Sequence, residues 1–411
     1  MLSIKKHEYF DGLLLIFLIV ITSDMPFQLI LPALPVIREY FGASVKLMGV
    51  AHTANFVSLA LSSIIYGYTI DVFGRRRVMI FAFATMIVFS IAIVTVKTVV
   101  SFIVLRFLQG ISEGVGLVLA YTLIRDMWND DEHKLLCAVS YVKSLYSIIP
   151  LVSVLMGAVL VNYFSWRCVF IINTFLSGWA LYMVLFSFED KFVKPDDCSN
   201  SIYEVVKSYG RILLNANTLH YLSILIMTFS WLSASTTHLP LVFLEEYHVS
   251  YTTYTICFFM YTGFYLVSLF CVSNYFSKRF SSDSMIFIGL ASIILGEGLF
   301  ITCNFIFDNK LHPYVLEILW IPQAFGLSCL FATLMTELIG SVNSSDVGKM
   351  NGMISCMKLF IGGISIFIMS NLYDGRVMSI SLFVLLCNVI NIFLHMFFVG
   401  LYRRKDMVKQ S

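Results

Sequence analysis

Stretches of about 20 apolar residues, the length that crosses the hydrocarbon of a bilayer, recur along this 411-residue chain. They run over 12–37, 47–70, 78–96, 100–124, 136–163 and 168–188, and again over 219–244, 254–276, 285–307, 313–339, 350–372 and 378–401. In lipid every spanning backbone N–H and C=O must be satisfied within its own segment, so each stretch is expected to be a helix. The first stretch is too long for a signal peptide and lacks a small-residue cleavage site, so it is expected to stay as the first span. Between the sixth and seventh stretches, Glu189, Asp190, Lys191, Lys194, Pro195, Asp196 and Asp197 open the one long polar connection. The expected fold class is an all-α integral membrane protein of twelve transmembrane helices. It divides into a six-helix half over 1–188, a linker over 189–215 and a second six-helix half over 216–411. Within the linker, 202–214 alternates polar and apolar residues as an amphipathic interfacial helix would.

Composition narrows the function classes. The chain is 59% hydrophobic and 13% charged, against about 25% charged in soluble domains, so a water-facing surface cannot be assembled from it. A formal net charge of +2 leaves no basic field for nucleic acid. The nine cysteines are scattered without metal or redox spacing and read as unpaired thiols. No phosphate-binding Gly-rich loop, nucleophile elbow or His-Glu-x-x-His is present, so neither an enzyme nor an ATP-driven pump has residues to stand on, and nothing demands a metal, a cofactor or an obligate subunit. Basic residues cluster on alternate connections: Arg75, Arg76 and Arg77, then Lys191, Lys194, Lys207 and Arg211, then Arg403, Arg404, Lys405 and Lys409. The opposite connections carry only Arg38, Lys46, Lys97, Arg167, Lys310 and Arg376, which predicts both termini in the cytoplasm.

Charges inside the spans are expensive and need a reason. Arg106 and Glu113 lie seven residues apart, nearly two helical turns, and so share a face with Gly110 and Ser112. Arg106 either faces the interior or snorkels to the outer interface. Asp24 falls near the midplane of the first span. Low dielectric favours a neutral carboxyl and a neighbouring guanidinium favours an ionised one, so these groups are either proton or substrate sites or buried hydrogen-bonding groups. Glu297, between Gly296 and Gly298, reads as a structural buried group. In the seventh span Trp231, Thr236 and His238 make a polar run.

Between the second and third spans stands Gly67-Tyr-Thr-Ile-Asp71-Val-Phe-Gly74-Arg75-Arg76-Arg77, which resembles the signature of the major facilitator superfamily. Gly67 lets helices approach, Gly74 permits a tight turn, and Asp71 beside Arg75 and Arg76 can form a charge-assisted gating latch. The alternative is a plain basic loop. Arg106-Phe-Leu-Gln109-Gly110 is similar to the superfamily's fourth-helix motif, whose Arg is associated with proton coupling. Leu31-Pro-Ala-Leu-Pro35, Leu123-Ile-Arg125-Asp126 and Trp166-Arg167-Cys-Val-Phe170 look like the Bcr/CflA drug-resistance branch of proton antiporters. The resemblance implies the major facilitator fold and a monomer in the bacterial inner membrane that couples protons to a small amphipathic molecule such as a drug or siderophore-like metabolite. The expected proton-coupling residues are Asp24, Arg106 and Glu113; Gln109, Trp231, Thr236, His238, Tyr261, Tyr265 and Gln323 are candidates to line a substrate cavity, and Lys358 either joins them or forms a salt bridge. In the fifth span Val154 and Ala158 stand where the branch commonly carries Pro and Gly, which leaves both export and nutrient uptake open. A non-transporting membrane sensor is the third reading.

Overall fold

The computed structural model describes residues 6–128, 131–188, 210, 213–307, 311–342 and 347–410. The expected interfacial helix over 202–214 lies almost entirely outside them. The chain resolves into two compact units, Met1–Val205 and Val206–Ser411.

The first unit is built from α1 (Lys6–Leu29), α2 (Leu34–Phe41), α3 (Val45–Phe73), α4 (Arg75–Thr95), α5 (Val99–Glu113), α6 (Val115–Trp128), α7 (Glu132–Tyr163) and α8 (Arg167–Phe186). Two pairs of these are single passes, since 11–41 and 99–128 each run continuously enough to cross a membrane. Helix starts are set by short side chains that take otherwise unpaired N–H groups: Ser44 Oγ accepts from Leu47 and Thr98 Oγ1 from Ser101. Between α3 and α4 the chain reverses through Gly74 alone, at φ +85°, a conformation that favours glycine. α3 packs along α5, α4 along α8, and α1 along α6 and α7.

The second unit contains α9 (Ala216–Leu241), α10 (Tyr251–Cys271), α11 (Ser282–Ile306), α12 (Pro313–Leu319), α13 (Ile321–Gly340), α14 (Val347–Leu372) and α15 (Val377–Gln410). α11 packs along α13, α9 along α14 and α15, and α10 along α13. The tenth span, expected as one helix, is interrupted at Trp320 (φ −88°, ψ 0°) between α12 and α13. Pro322 causes the break, because it has no N–H for the Ile318 carbonyl and its ring collides with that group in a regular helix.

Eleven stretches among the described residues are long and apolar enough to cross a membrane. α9 has the length, 26 residues, but is more polar than the rest. Four of its hydroxyls are taken up by its own backbone: Thr228 donates to the Ile224 carbonyl, Ser230 to Ile226, Thr236 to Leu232 and Thr237 to Ser233. A helix that hides its polar atoms this way can still sit in lipid. Large apolar side chains stand exposed along the spans, among them Phe175 at 74% and Phe305 at 84%, which suits acyl chains and not water.

Beyond α9 a π-helical turn, Val242–Glu246, brings the Glu246 carboxylate to the backbone N–H of Val377 at the start of α15, 2.9 Å away. Burial pushes this carboxyl up to about 7, opposed by the Val377 N–H and by Arg376 and helped by Asp374. Because the folded protein holds a proton that the unfolded chain releases near 4.5, this group's contribution to stability is complete below that pH and is lost as pH rises through about 7. The melting temperature of the native protein in detergent is therefore expected to fall between pH 5 and pH 8 relative to Glu246→Gln, and parallel curves would contradict this assignment.

Candidate functional site

The sharpest constellation of the first unit is assembled where α5 crosses α3. Arg106, Gln109 and Glu113 project from one face of α5 and are wholly buried, at 0% exposure each. Arg106 therefore does not snorkel. Its Nη1–H donates to Gln109 Oε1 at 2.7 Å and its Nη2–H to Asn55 Oδ1 at 2.9 Å. The Asn55 amide in turn donates to Glu113 Oε2 at 2.9 Å and to the Arg106 carbonyl at 3.3 Å. Asn55 thus stands between the cation and the carboxylate, which are joined through it and not by a direct ion pair. Gln109 passes the network to Ser90 on α4 (3.3 Å), and Asn173 on α8 reaches the same hydroxyl (3.2 Å). The Arg106 guanidinium also lies 5.9 Å from the Phe170 ring centroid. Three atoms of this network remain without a hydrogen-bond partner among the described residues: Arg106 Nε, Glu113 Oε1 and Asn173 Oδ1.

Helix approach makes this possible. Gly110 and Gly114 are four apart on α5 and its end, and face Asn55, Ser58, Leu59 and Ser62 of α3. A Cβ at Gly110 would strike the Ser58 hydroxyl and come 2.5 Å from the Asn55 carbonyl oxygen. Small residues spaced by four are the usual means by which membrane helices bring backbones together. Asn55 is the residue bridging Arg106 and Glu113 that the sequence reading does not single out; an Asn in an apolar run, one helix away from a buried Arg, is the available signal. Ser90 and Asn173 carried no comparable one.

Asp24 stands apart from this network. It is half-buried on α1, two residues before Pro26, which leaves the Thr22 carbonyl without its helical N–H. Its charge reaches Tyr146 of α7. In the fifth span Gly157 seats against Leu29 and Pro32.

At the proposed latch, Arg75 Nε pairs with Asp126 Oδ2 at 2.8 Å, joining the start of α4 to the end of α6. Arg76 donates to the carbonyls of Val184 (3.3 Å) and Leu185 (2.8 Å), which caps the end of α8. Gly67 has open space around it, and the Asp71 side chain lies outside the described residues. Asp126, noted in the sequence only for its family likeness, is thus the acid the structure places on Arg75.

In the second unit the expected cavity residues fall into separate environments. Trp231 is buried, with its indole N–H unpartnered among the described residues. His238 lies between the Ala234 carbonyl (2.8 Å) and the Ser370 hydroxyl (3.0 Å). Thr236 is bonded to its own helix, and Lys358 of α14 lies 5.0 Å from the centroid of Phe229 on α9. Gln323 donates to Glu297 Oε1 at 2.8 Å, while Tyr261 and Tyr265 lie half-buried on α10. A His220–His395 contact of 3.1 Å joins α9 to α15.

Eleven candidate membrane passes in two compact units, six of them in the first, with a basic hairpin after the second pass and a buried Arg in the fourth, define a transporter-like architecture. Residues 16–367 match the model of the Major Facilitator Superfamily, and the chain belongs to that family of transporters. Among its relatives is the MFS-type transporter YdgK of Bacillus subtilis, 23% identical over 294 residues, which are 70% of this chain and 72% of the relative. The bicyclomycin resistance protein homolog of Haemophilus influenzae is 21% identical over 319 residues, 75% of this chain and 79% of the relative. The multidrug resistance protein MdtL of Klebsiella pneumoniae is 27% identical over 158 residues, 38% of this chain and 40% of the relative. The fold is shared with the xylose transporter XylE from E. coli in a partially occluded inward-open conformation (TM-score 0.69, 12% identity, 96% of this chain and 98% of that one). It is likewise shared with the nucleoside transporter NupG (TM-score 0.73, 10% identity, 95% and 99%).

Proposed function

We propose that this protein is a proton-coupled transporter that exports a small amphipathic molecule, of drug or siderophore-like character, by alternating access of its two halves. The observation that carries the reading is Glu113: a wholly buried carboxylate with one free oxygen, linked to Arg106 only through the Asn55 amide. Such a carboxyl gains or loses a proton at high electrostatic cost, and a small rearrangement of Asn55 changes how strongly the guanidinium favours ionisation. Proton movement and conformation are thereby linked. Asp24, on the neighbouring first span, supplies a second acid or a polar contact for substrate. Drug-resistance relatives support export. The membrane is the bacterial inner membrane, with both termini cytoplasmic as the Lys and Arg distribution favours, and the working unit is a monomer.

Proton-coupled uptake is the second reading, favoured by Val154 and Ala158 in the fifth span. The experiment that tests both is a metabolite and drug screen in proteoliposomes with an imposed pH gradient. Accumulation against the direction of proton entry supports export, accumulation with it supports uptake, and absence of any pH-driven flux overturns both.

The latch carries its own expected result. In the proposed latch Asp71 makes a charge-assisted contact of roughly 1.5–3 kcal/mol, and Asp71→Ala is expected to shift a two-state access equilibrium by about 10- to 150-fold. Cysteine accessibility on the two membrane faces should change while expression persists. An unaltered accessibility pattern would speak against the latch.

A further inference from the structure

The seam between α9 and α14 carries a buried imidazole that the coupling machinery of the first unit does not use. The two helices are close here: a Cβ added at Gly362 of α14 would stand 2.9 Å from Ser233 Oγ and 3.1 Å from the Phe229 ring of α9. Further along the same seam His238 of α9 is 1% exposed and Ser370 of α14 is 5% exposed. Neither side chain has bulk water to turn to, so protein groups must complete their hydrogen bonds.

Three short contacts determine what this pair can do. His238 Nδ1 lies 2.8 Å from the Ala234 carbonyl oxygen, and His238 Nε2 lies 3.0 Å from Ser370 Oγ. The Ser370 hydroxyl lies 2.7 Å from the Ile366 carbonyl oxygen. A carbonyl oxygen only accepts, so the Ala234 contact requires the proton of a neutral ring to sit on Nδ1. Nε2 then carries a lone pair, and Ser370 must turn its single proton toward it and release Ile366. In the imidazolium, Nε2–H donates to Ser370 Oγ while the hydroxyl proton stays on Ile366, and all three contacts are hydrogen bonds. The Ile366 carbonyl is not orphaned in the neutral state, because within α14 it still accepts the Ser370 backbone N–H. Rotation of one hydroxyl therefore completes either charge state.

The titratable groups around His238 come from each element packed on α9. α14 contributes Tyr373, with 5.4 Å between ring centroids, and Lys358, twelve residues before Ser370 or about 18 Å along the helix. Past the helix ends stand Asp374, Arg376 and Glu246, whose carboxylate takes the Val377 N–H at the head of α15. α13 and α15 carry Glu337 and His395 beside the start of α9, bonded to Ser282 and His220 respectively. The ring's own hydrogen bonds are thus its nearest polar influences among the described residues.

We propose that His238 is a proton-binding site of the C-terminal unit, in which the Ser370 hydroxyl rotates between Nε2 and the Ile366 carbonyl so that a proton enters and leaves without stranding a buried polar atom. His238 lies three residues before the end of α9 at Leu241, and Ser370 two before the end of α14 at Leu372, so solvent at those ends is the proton source. Uptake adds one proton to Nε2, breaks the Oγ–H···Nε2 bond and forms Nε2–H···Oγ and Oγ–H···O=C. No other group changes charge. The site is separate from the Glu113 network and does not depend on that reading.

The test is nitrogen-15 NMR of the full chain in phosphatidylcholine nanodiscs, with both ring nitrogens of histidine labelled, titrated from pH 4 to pH 9. One pair of resonances, identified by its loss in His238→Gln, is expected to pass from a ring protonated on Nδ1 alone to one protonated on both nitrogens as pH falls. Ser370→Ala takes a charged-donor bond from the imidazolium and a weaker neutral one from the neutral ring. The midpoint should therefore fall by about one pH unit, an about tenfold loss of proton affinity, and Ser370→Thr, which keeps the hydroxyl, should restore it. The native titration carries the test even if Ser370→Ala does not fold. A ring that holds one charge state throughout, a neutral ring protonated on Nε2, or a midpoint unmoved by Ser370→Ala would overturn the site. No substrate enters the measurement, and Glu113→Gln should leave this titration in place.

Discussion

Glu113→Gln is expected to abolish pH-driven accumulation of substrate while leaving substrate binding and exchange intact. Each coupled proton moving down one pH unit supplies about 1.4 kcal/mol, or about tenfold accumulation, and a neutral amide cannot carry that proton. The substitution is nearly isosteric. The amide oxygen can take the place of Glu113 Oε2 and still accept the Asn55 N–H, and the new amine falls where Oε1 has no partner. Arg106→Ala is a harsher change. It strips donors from Gln109 Oε1 and Asn55 Oδ1, each left unsatisfied at about 1–3 kcal/mol, and removes the cation that faces Glu113 through Asn55. It is expected to lower both stability and coupling, whereas Glu113→Gln lowers coupling alone. Asp24→Asn separates a second acid from a polar contact, since only the former removes pH dependence. Flux in proteoliposomes with and without a pH gradient, alongside dye-reported proton release, reads all three. Full pH-driven accumulation by Glu113→Gln would return this residue to a structural role.

Gly110→Val is expected to cost more stability than any lipid-facing substitution in the first unit and to silence transport with it. Overpacking in a closely packed interior typically costs about 1–3 kcal/mol. Here the obstacle includes the Asn55 backbone carbonyl, which cannot rotate away as a side chain does, so the upper end of that range applies. Pushing α5 from α3 also stretches the 2.9 Å bonds by which Asn55 holds Arg106 and Glu113. Gly178→Ala is the control: nothing lies within 4 Å of the added carbon, and a helical alanine restricts the unfolded chain more than glycine does, so it should be neutral or stabilising by up to about 1 kcal/mol. Thermal melts and substrate flux on both variants check this. Equal melting temperatures for Gly110→Val and the native chain would show that the α3–α5 seam yields.

Much of the fold was legible because lipid imposes so few solutions. Apolar runs of spanning length must be helices, and eleven such helices stand among the described residues. The hairpin at Gly74 was legible for a similar reason, since a one-residue reversal with positive φ requires a particular residue. The helical period was also enough to put Arg106 and Glu113 on one face. Beyond a single helix the sequence alone stops, because which face meets which neighbour depends on packing. The seam of Gly110 and Gly114 on Asn55, Ser58 and Ser62 is such a case, and it turned an expected Arg106–Glu113 contact into one mediated by Asn55. The same holds for Arg75, whose described partner is Asp126, 51 residues away, and for Glu297, which meets Gln323 because Pro322 breaks the tenth span beside it. Sequence by itself determined the solvent and the helical spans, eleven of the twelve expected being long and apolar enough to cross a membrane among the described residues, since hydrophobic length and charge placement act locally. Tertiary structure decided which buried charges share hydrogen bonds, since those bonds form only where close-packed backbones bring distant residues within about 3 Å.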